Sequence, residues 1–482
     1  MISFHLLRPS HRRFRSTIFI ALFAVAASFS LTSCAGLTGS ANSNISTERR
    51  PLPGLAPLEV NGPLLPGTER TDISMAPRSS KGPLVVMAIS GGGSRSAYYA
   101  ACVMEQMAAM PAPDGSGLSM LDSVRVISTV SAGSLAATWY SIHYDERHQP
   151  DFFPRMKQAM SVNLQWRTYG HMITFPPLAM QLLASSVTRT DLLAGSIDRL
   201  MGGRATFDDL RARETRAEDP TPVLIINGTV YNTGQRMVMT NLPRSRFPSV
   251  VDLEAKGPQI VSQREARMMA QLVQPLTFAD IGSNIGSFGV GQAIATSAAF
   301  PIILAPVRLQ IFPQYVPSES AGSRVDASLL EGRYLYVADG GVYENNGIDP
   351  ILSLLKTIPR SEAVILISVD ASQREETMRI GKHRIFDPIT VIYRMYDIGT
   401  LRPLAFYSAV LKQYRDASNT AAVMVRLEGR DPEHKKALRN IPTSFKLSGE
   451  HRGVLEQSAR DNFADTLPSL AEAWTSVVKR KK

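Results

Sequence analysis

The chain has 482 residues, 44% of them hydrophobic and 20% charged, a balance that excludes wholesale disorder and allows one large α/β domain or two smaller ones. Its formal charge is +10, but Arg8, Arg12, Arg13 and Arg15 fall within residues 1–33 with no acidic residue, so the remainder carries +6. That mild excess suits anionic lipid headgroups as readily as nucleic acid, and the lack of a Lys/Arg block interleaved with aromatics argues against nucleic-acid binding.

The four arginines precede an uncharged, mostly apolar run over residues 18–31. At about fourteen residues it is too short to span a bilayer and reads as a secretory signal peptide, residues 1–33. It ends in Leu31-Thr32-Ser33-Cys34, which resembles the lipobox of bacterial lipoproteins. The resemblance implies acylation of Cys34, export, and attachment to a membrane facing the periplasm, with Ala35 favouring the outer membrane. An ordinary signal peptide or an uncleaved anchor is the alternative. Only one other cysteine, Cys102, exists; in its apolar helical setting it reads as a small core residue. The histidines are scattered without ligand spacing, so no metal and no organic cofactor is implied.

Residues 34–82 are rich in Gly, Ser, Asn and Pro, the composition of a tether. The folded part is expected from about Leu84, filling residues 83–482. Strands are expected at residues 84–89 and 124–130, each followed by a helix, at residues 96–110 and from residue 135. This β-α-β-α opening argues for a mostly parallel sheet. Residues 142–219 are helical and uneven, with Trp166, Tyr169, Met172, Ile173, Phe175, Leu178, Met180, Leu182 and Leu183 close together. They read either as a cap over an acyl site or as core helices. Further strands are expected at 223–227, 230–232, 237–240, 334–338 and 364–369, and a small-residue helix at 293–300 halted by Pro301. Residues 371–482 look helical and charged, without a usable motif.

Three stretches carry chemistry. The first strand ends in Gly91-Gly92-Gly93-Ser94-Arg95. Consecutive glycines let backbone N–H groups converge on one point, which suits an oxyanion or a phosphate. A nucleotide loop would need Gly-Lys-Ser/Thr, and Gly-x-Gly-x-x-Gly fails at Ser96. Arg95 either holds this loop or meets a lipid phosphate. The second strand ends in Thr129-Val130-Ser131-Ala132-Gly133, a nucleophile elbow lacking its first glycine; Ser131 alone could equally be a helix N-cap. The third stretch is Asp339-Gly340-Gly341 at another strand end, an ordinary turn if taken alone.

In this order the three stretches resemble the patatin-like phospholipase family, supported by residues 224–234 and by Ala295-Thr296-Ser297-Ala298-Ala299-Phe300-Pro301. The resemblance implies a three-layer α/β/α fold with a mostly parallel central sheet, a helical cap and a C-terminal helical extension. It implies Ser131 as nucleophile, Asp339 as its base without a histidine, and Gly91, Gly92, Gly93 and Ala132 around the oxyanion, with Arg95, Gly133 and Gly340 in support. The expected activity is hydrolysis of acyl esters in membrane lipids, of phospholipase A or lysophospholipase type. An acyltransferase with the same dyad and a non-catalytic lipid-binding or scaffold protein are the alternatives. Thr129 and Ser96 depart from the family pattern without removing a reacting group.

Overall fold

The computed structural model describes residues 61–481, except 69, 71–72, 168–187, 250–261, 302, 319, 321–323, 326, 373–398, 400–403, 413 and 415–417. The signal segment, Cys34 and the first part of the tether lie outside the described residues. Strand β1 (Leu84–Ile89), an unbroken apolar run, and strand β2 (Val124–Val130), which interleaves Arg125, Ser128 and Thr129 with its apolar residues, are buried along their whole lengths, as strands of a sheet covered on both faces are. Each turns directly into a helix, α1 (Ser94–Ala109) and α2 (Gly133–Ile142). Helices α3 (Phe152–Met160), α4 (Arg189–Leu200) and α5 (Phe207–Glu214) lead to β3 (Val223–Val230) and β4 (Arg236–Thr240). Then come α6 (Gln263–Leu272), α7 (Val290–Ser297), β5 (Val307–Gln310), β6 (Tyr334–Asp339), α8 (Asp349–Leu355), β7 (Val364–Asp370), β8 (Thr420–Arg426), α9 (Pro432–Arg439) and the long α10 (Gly449–Lys481).

The eight strands form one sheet in the order β8-β7-β1-β2-β3-β6-β5, with β4 also paired to β3. Pairing is parallel from β8 through to β3 and antiparallel where β4, β5 and β6 join. One apolar core packs α1, α2, α7 and α10 on one face; a second packs α8 on the other, giving the expected layers around the sheet.

The register holds the key to the site. β2 pairs with residues 223–227 of β3, ending with Val130 opposite Asn227. β6 pairs with residues 228–230, and Asp339 lies opposite Gly228. β4 pairs with residues 225–229 and so occupies the other edge of β3 throughout. β2 and β6 therefore share one edge and meet end to end, carboxyl end against carboxyl end.

Several boundaries differ from expectation. Residues 61–82 do not all belong to a free tether: Asn61 is buried and donates to Ser283 Oγ (2.7 Å), Gly62–Pro63 pairs with Ser283–Asn284, and Ile73 enters the second core. The strand expected to break after Asn227 continues to Val230, because Gly228 lets β6 pack close; a Cβ there would sit 2.6 Å from Val337 Cγ1. The helix before Pro301 stops at Ser297, three residues short of the expected end. In the C-terminal part, Thr420–Arg426 is a strand instead of helix, pairing in parallel along the whole of β7 and extending the sheet. Of the expected cap, Phe152, Met156, Leu193, Ile197, Phe207 and Leu210 are core residues. Its segment 168–187, from Tyr169 to Leu183 in the apolar cluster, lies outside the described residues.

Candidate active site

Ser131 occupies the tight turn between β2 and α2 with φ +54°, the left-handed region that non-glycine residues rarely adopt. The strain is held from several sides. Ser131 N–H donates to Ser297 Oγ (2.7 Å), which in turn donates to Asn227 C=O (2.6 Å), while the Asn227 amide donates to Thr129 C=O (2.9 Å). Gly133 is required by proximity, since a Cβ would come within 2.5 Å of Ser90 C=O. The missing first glycine of the elbow is absorbed without crowding. Thr129 points its hydroxyl at Ile225 C=O (3.1 Å) and Ser134 Oγ (2.8 Å).

The abutting strands bring Asp339 to Ser131 across 208 residues of sequence: Ser131 Oγ donates to Asp339 Oδ2 at 2.9 Å. The other carboxylate oxygen accepts the Gly341 N–H (2.7 Å), and the Asp339 main chain is fixed by Thr229 Oγ1 (2.7 Å) and Ala299 C=O (3.1 Å). Gly340 fits because a Cβ would meet Asn227 C=O at 2.3 Å. Asp339 is only 2% exposed. Burial pushes its carboxyl up to about 7, against the pull of the Gly341 N–H and the Ser131 hydroxyl.

The glycine loop lies beside this pair, but its three residues do different things. Gly91 N–H is committed to Asn345 C=O (2.9 Å), so the expectation of Gly91 as an oxyanion donor is corrected. Gly91 supplies room instead, since a Cβ would lie 2.3 Å from Asn345 Oδ1 and 3.2 Å from Ser131 Cβ. Gly92 and Gly93 have φ of +144° and +67°. Among the described residues, the N–H groups of Gly92, Gly93 and Ala132 meet no protein acceptor. Arg95 is 2% exposed and donates to Ala371 C=O and Ile441 C=O (3.1 Å each), so it braces the loop. Ser96, the other departure, donates its hydroxyl to Ser90 C=O.

Ser297, Asn227, Thr229 and Asn345 were not singled out as site residues by sequence. Ser297, Asn227 and Thr229 do fall in the stretches that support the family resemblance, and that is their only signal. Cys102 is buried in the core and its thiol is pushed up by burial, away from the thiolate a nucleophile needs. Among the described residues no group of three or more His, Cys, Asp or Glu is placed to hold a metal ion.

No curated protein matches the sequence. By structure the chain is similar to human GIVD cytosolic phospholipase A2, at 12% identity with 83% of this chain and 63% of that chain covered and a TM-score of 0.41. It thus spans a little under two thirds of that protein's length. It is also similar to VipD from Legionella pneumophila, at 13% identity, 88% and 72% covered, TM-score 0.28. A chain of the full-length SpcU–ExoU complex from the type III secretion system of Pseudomonas aeruginosa gives 13% identity, 88% and 61% covered, TM-score 0.25. The sequence itself matches the patatin-like phospholipase domain over residues 87–352, from inside β1 to inside α8, a span that includes Ser131, Asp339 and the glycine loop. More than half of the chain lies in that match, and the chain belongs to the patatin-like phospholipase family.

Proposed function

We propose that the chain is a lipid acyl hydrolase working through a Ser131–Asp339 dyad and an acyl-enzyme. The observation that carries this reading is the 2.9 Å bond from a strained serine hydroxyl to a buried carboxylate with no cation paired to it among the described residues. A serine hydroxyl attacks only if its proton is removed as the bond forms, and a base near the working pH does this best. Asp339, held at about 7, meets that condition.

In the first half-reaction Ser131 Oγ bonds to the acyl carbonyl carbon while its proton passes to Asp339 Oδ2. The negative charge on the former carbonyl oxygen falls to the open N–H groups of Gly92, Gly93 and Ala132 and to the N-terminus of α2; each such donor is typically worth about 3 kcal/mol. Collapse breaks the ester bond, and the leaving alcohol takes the proton from Asp339. Water then attacks the acyl-enzyme, gives its proton to Asp339, and the released fatty acid leaves as Ser131 recovers that proton. No metal or organic cofactor enters these steps.

The N-terminal sequence supports a second part of the proposal: export, acylation at Cys34 and tethering of the domain to a periplasm-facing membrane. Incorporation of labelled palmitate by the wild type and its loss in Cys34→Ser would test it. The dyad is tested by hydrolysis of a mixed-chain phospholipid in micelles. Turnover by the wild type, lost in both Ser131→Ala and Asp339→Asn, supports the mechanism, and the released chain names the bond. Equal turnover in all three overturns it.

A further inference from the structure

We propose that the outer ends of β3, β5 and β6 form a docking face for a bilayer surface bearing anionic headgroups. The inference rests on reading the dyad as a lipid-hydrolysing centre. Because β6 meets the end of β2 and runs away from it, Tyr334 stands five residues beyond Asp339, about 17 Å at the usual strand rise. β3 runs the same way and ends beside it, where Tyr231 N–H donates to Tyr336 C=O at 2.8 Å. β5 places Arg308 opposite Tyr336. These strand ends project past the carboxyl ends of β1 and β2, the side of an open α/β sheet on which ligands bind.

The chemistry of this projection is that of a membrane interface. The Arg308 guanidinium lies 4.6 Å from the centre of the Tyr334 ring, and that of Arg333 lies 5.6 Å from the same ring. Both arginines are exposed, and among the described residues no carboxylate lies within ion-pair distance of either; Asp191 acts on Arg308 only from farther away. Two guanidinium groups gathered at one tyrosine ring, with no carboxylate within ion-pair distance among the described residues, form a ready phosphate contact. Exposed apolar groups stand at the ends of β3 and β6 and on α6. Tyr231 is 44% exposed and near enough to Asp339 to sense its charge. Val342, three residues past Asp339, is also exposed, as are Leu272 and Met269 on α6, one turn apart. Leu272 reaches the β3–β4 turn at Gly234. Tyrosines and arginines of this kind settle at the headgroup level, ring in the apolar boundary and charge in the phosphate layer. Charge complementarity therefore selects an anionic bilayer, and the same surface would deliver substrate to the dyad. Among the described residues no helix is long and apolar enough to cross a membrane, so this contact would be peripheral.

The test uses the full chain carrying Cys34→Ser, so that no acyl anchor contributes, with phosphatidylcholine vesicles with and without phosphatidylglycerol. R308E/R333E is expected to lose anionic-vesicle affinity by about tenfold or more, with R308Q/R333Q between it and the parent. Binding to phosphatidylcholine alone, the thermal midpoint and turnover of a soluble acyl ester are expected to hold. Equal anionic-vesicle binding by parent and R308E/R333E overturns the proposal and leaves the face to an acidic protein surface. If no variant turns over any ester while the charge reversal still abolishes anionic binding, the hydrolase reading falls and the docking face stands.

Discussion

Two groups of carboxylates are buried within one strand of each other, and they are built to opposite ends. Glu344 and Asp349 surround the fully buried Arg236 at 3.3 and 3.0 Å, and the Tyr343 ring covers its guanidinium at 4.6 Å. Glu344 also accepts the N–H groups of Asn346, Ile348 and Asp349, fixing the loop whose Asn345 carbonyl holds Gly91. Among the described residues Asp339 has no such cation, and two hydrogen bonds oppose its burial. The two sets are linked through Thr229, which pairs with Arg236 across the sheet and bonds Asp339. With a cation among them, buried carboxylates become a brace: burial raises the Glu344 and Asp349 carboxyls too, but the Arg236 guanidinium pulls against it. Without one, a buried carboxylate is left able to trade a proton, as a base must be.

Removing the reactive pair has the largest expected effect. Ser131→Ala is expected to cut ester turnover by about 10⁴-fold or more and Asp339→Asn by about 10³-fold, both with unchanged circular dichroism. Arg236→Met attacks the other side. It strands two carboxylates in the core and should cost about 3–5 kcal/mol in urea unfolding, because an uncompensated buried charge is worse than either a pair or none. If Arg236→Met instead left stability intact while turnover fell, the brace would be part of the chemistry, and the distinction drawn here would fail.

Much of this was legible in the sequence, but only where the signal is local. Strands Leu84–Ile89 and Val124–Val130 have the expected boundaries because an unbroken apolar run in the first and a run rich in β-branched residues in the second each stop at small residues. Ser131 and Asp339 each end a strand, and chain order alone placed them in a family pattern. What could not be read is the end-to-end meeting of β2 and β6, since it depends on the registers of both strands against β3. The same holds for Gly91, whose N–H is taken by a carbonyl 254 positions later, and for Val307–Gln310, too short to show a period. The strand Thr420–Arg426 is decided by the edge it finds on β7, not by its own propensity.

The pH dependence sharpens the contrast. Asp339 binds its proton up to about 7 in the folded chain, against an ordinary value of 3.8. Below about 4 both folded and unfolded states are protonated and the group costs nothing. As pH rises to 7 the unfolded chain ionises freely while the folded chain resists, so stability from this group is lost across that window. Asp339→Asn should therefore unfold at nearly the wild-type temperature at pH 4 but several degrees above it at pH 8, a gain on the order of a few kcal/mol. Catalysis runs the other way: wild-type kcat/KM should rise with pH and level off above about 7, as the carboxylate becomes available to take the serine proton. A flat difference in melting temperature between the two proteins would mean that Asp339 is ionised throughout and that burial does not make it a base.

The smallest effect falls on Thr129, where the chain departs from the glycine of its family. Its hydroxyl joins Ile225 C=O and Ser134 Oγ, so the side chain ties the elbow to β3 and to the first turn of α2. Thr129→Val keeps the shape and removes both bonds, leaving a buried carbonyl and a serine hydroxyl to find other partners. That loss should cost about 1 kcal/mol of stability with a few-fold fall in kcat. Thr129→Gly restores the family's residue but frees the backbone and opens a hole beside β3, and should be the less stable of the two. If Thr129→Gly proves the more stable and more active, the threonine strains the elbow, and the hydrogen bonds described here only offset that strain.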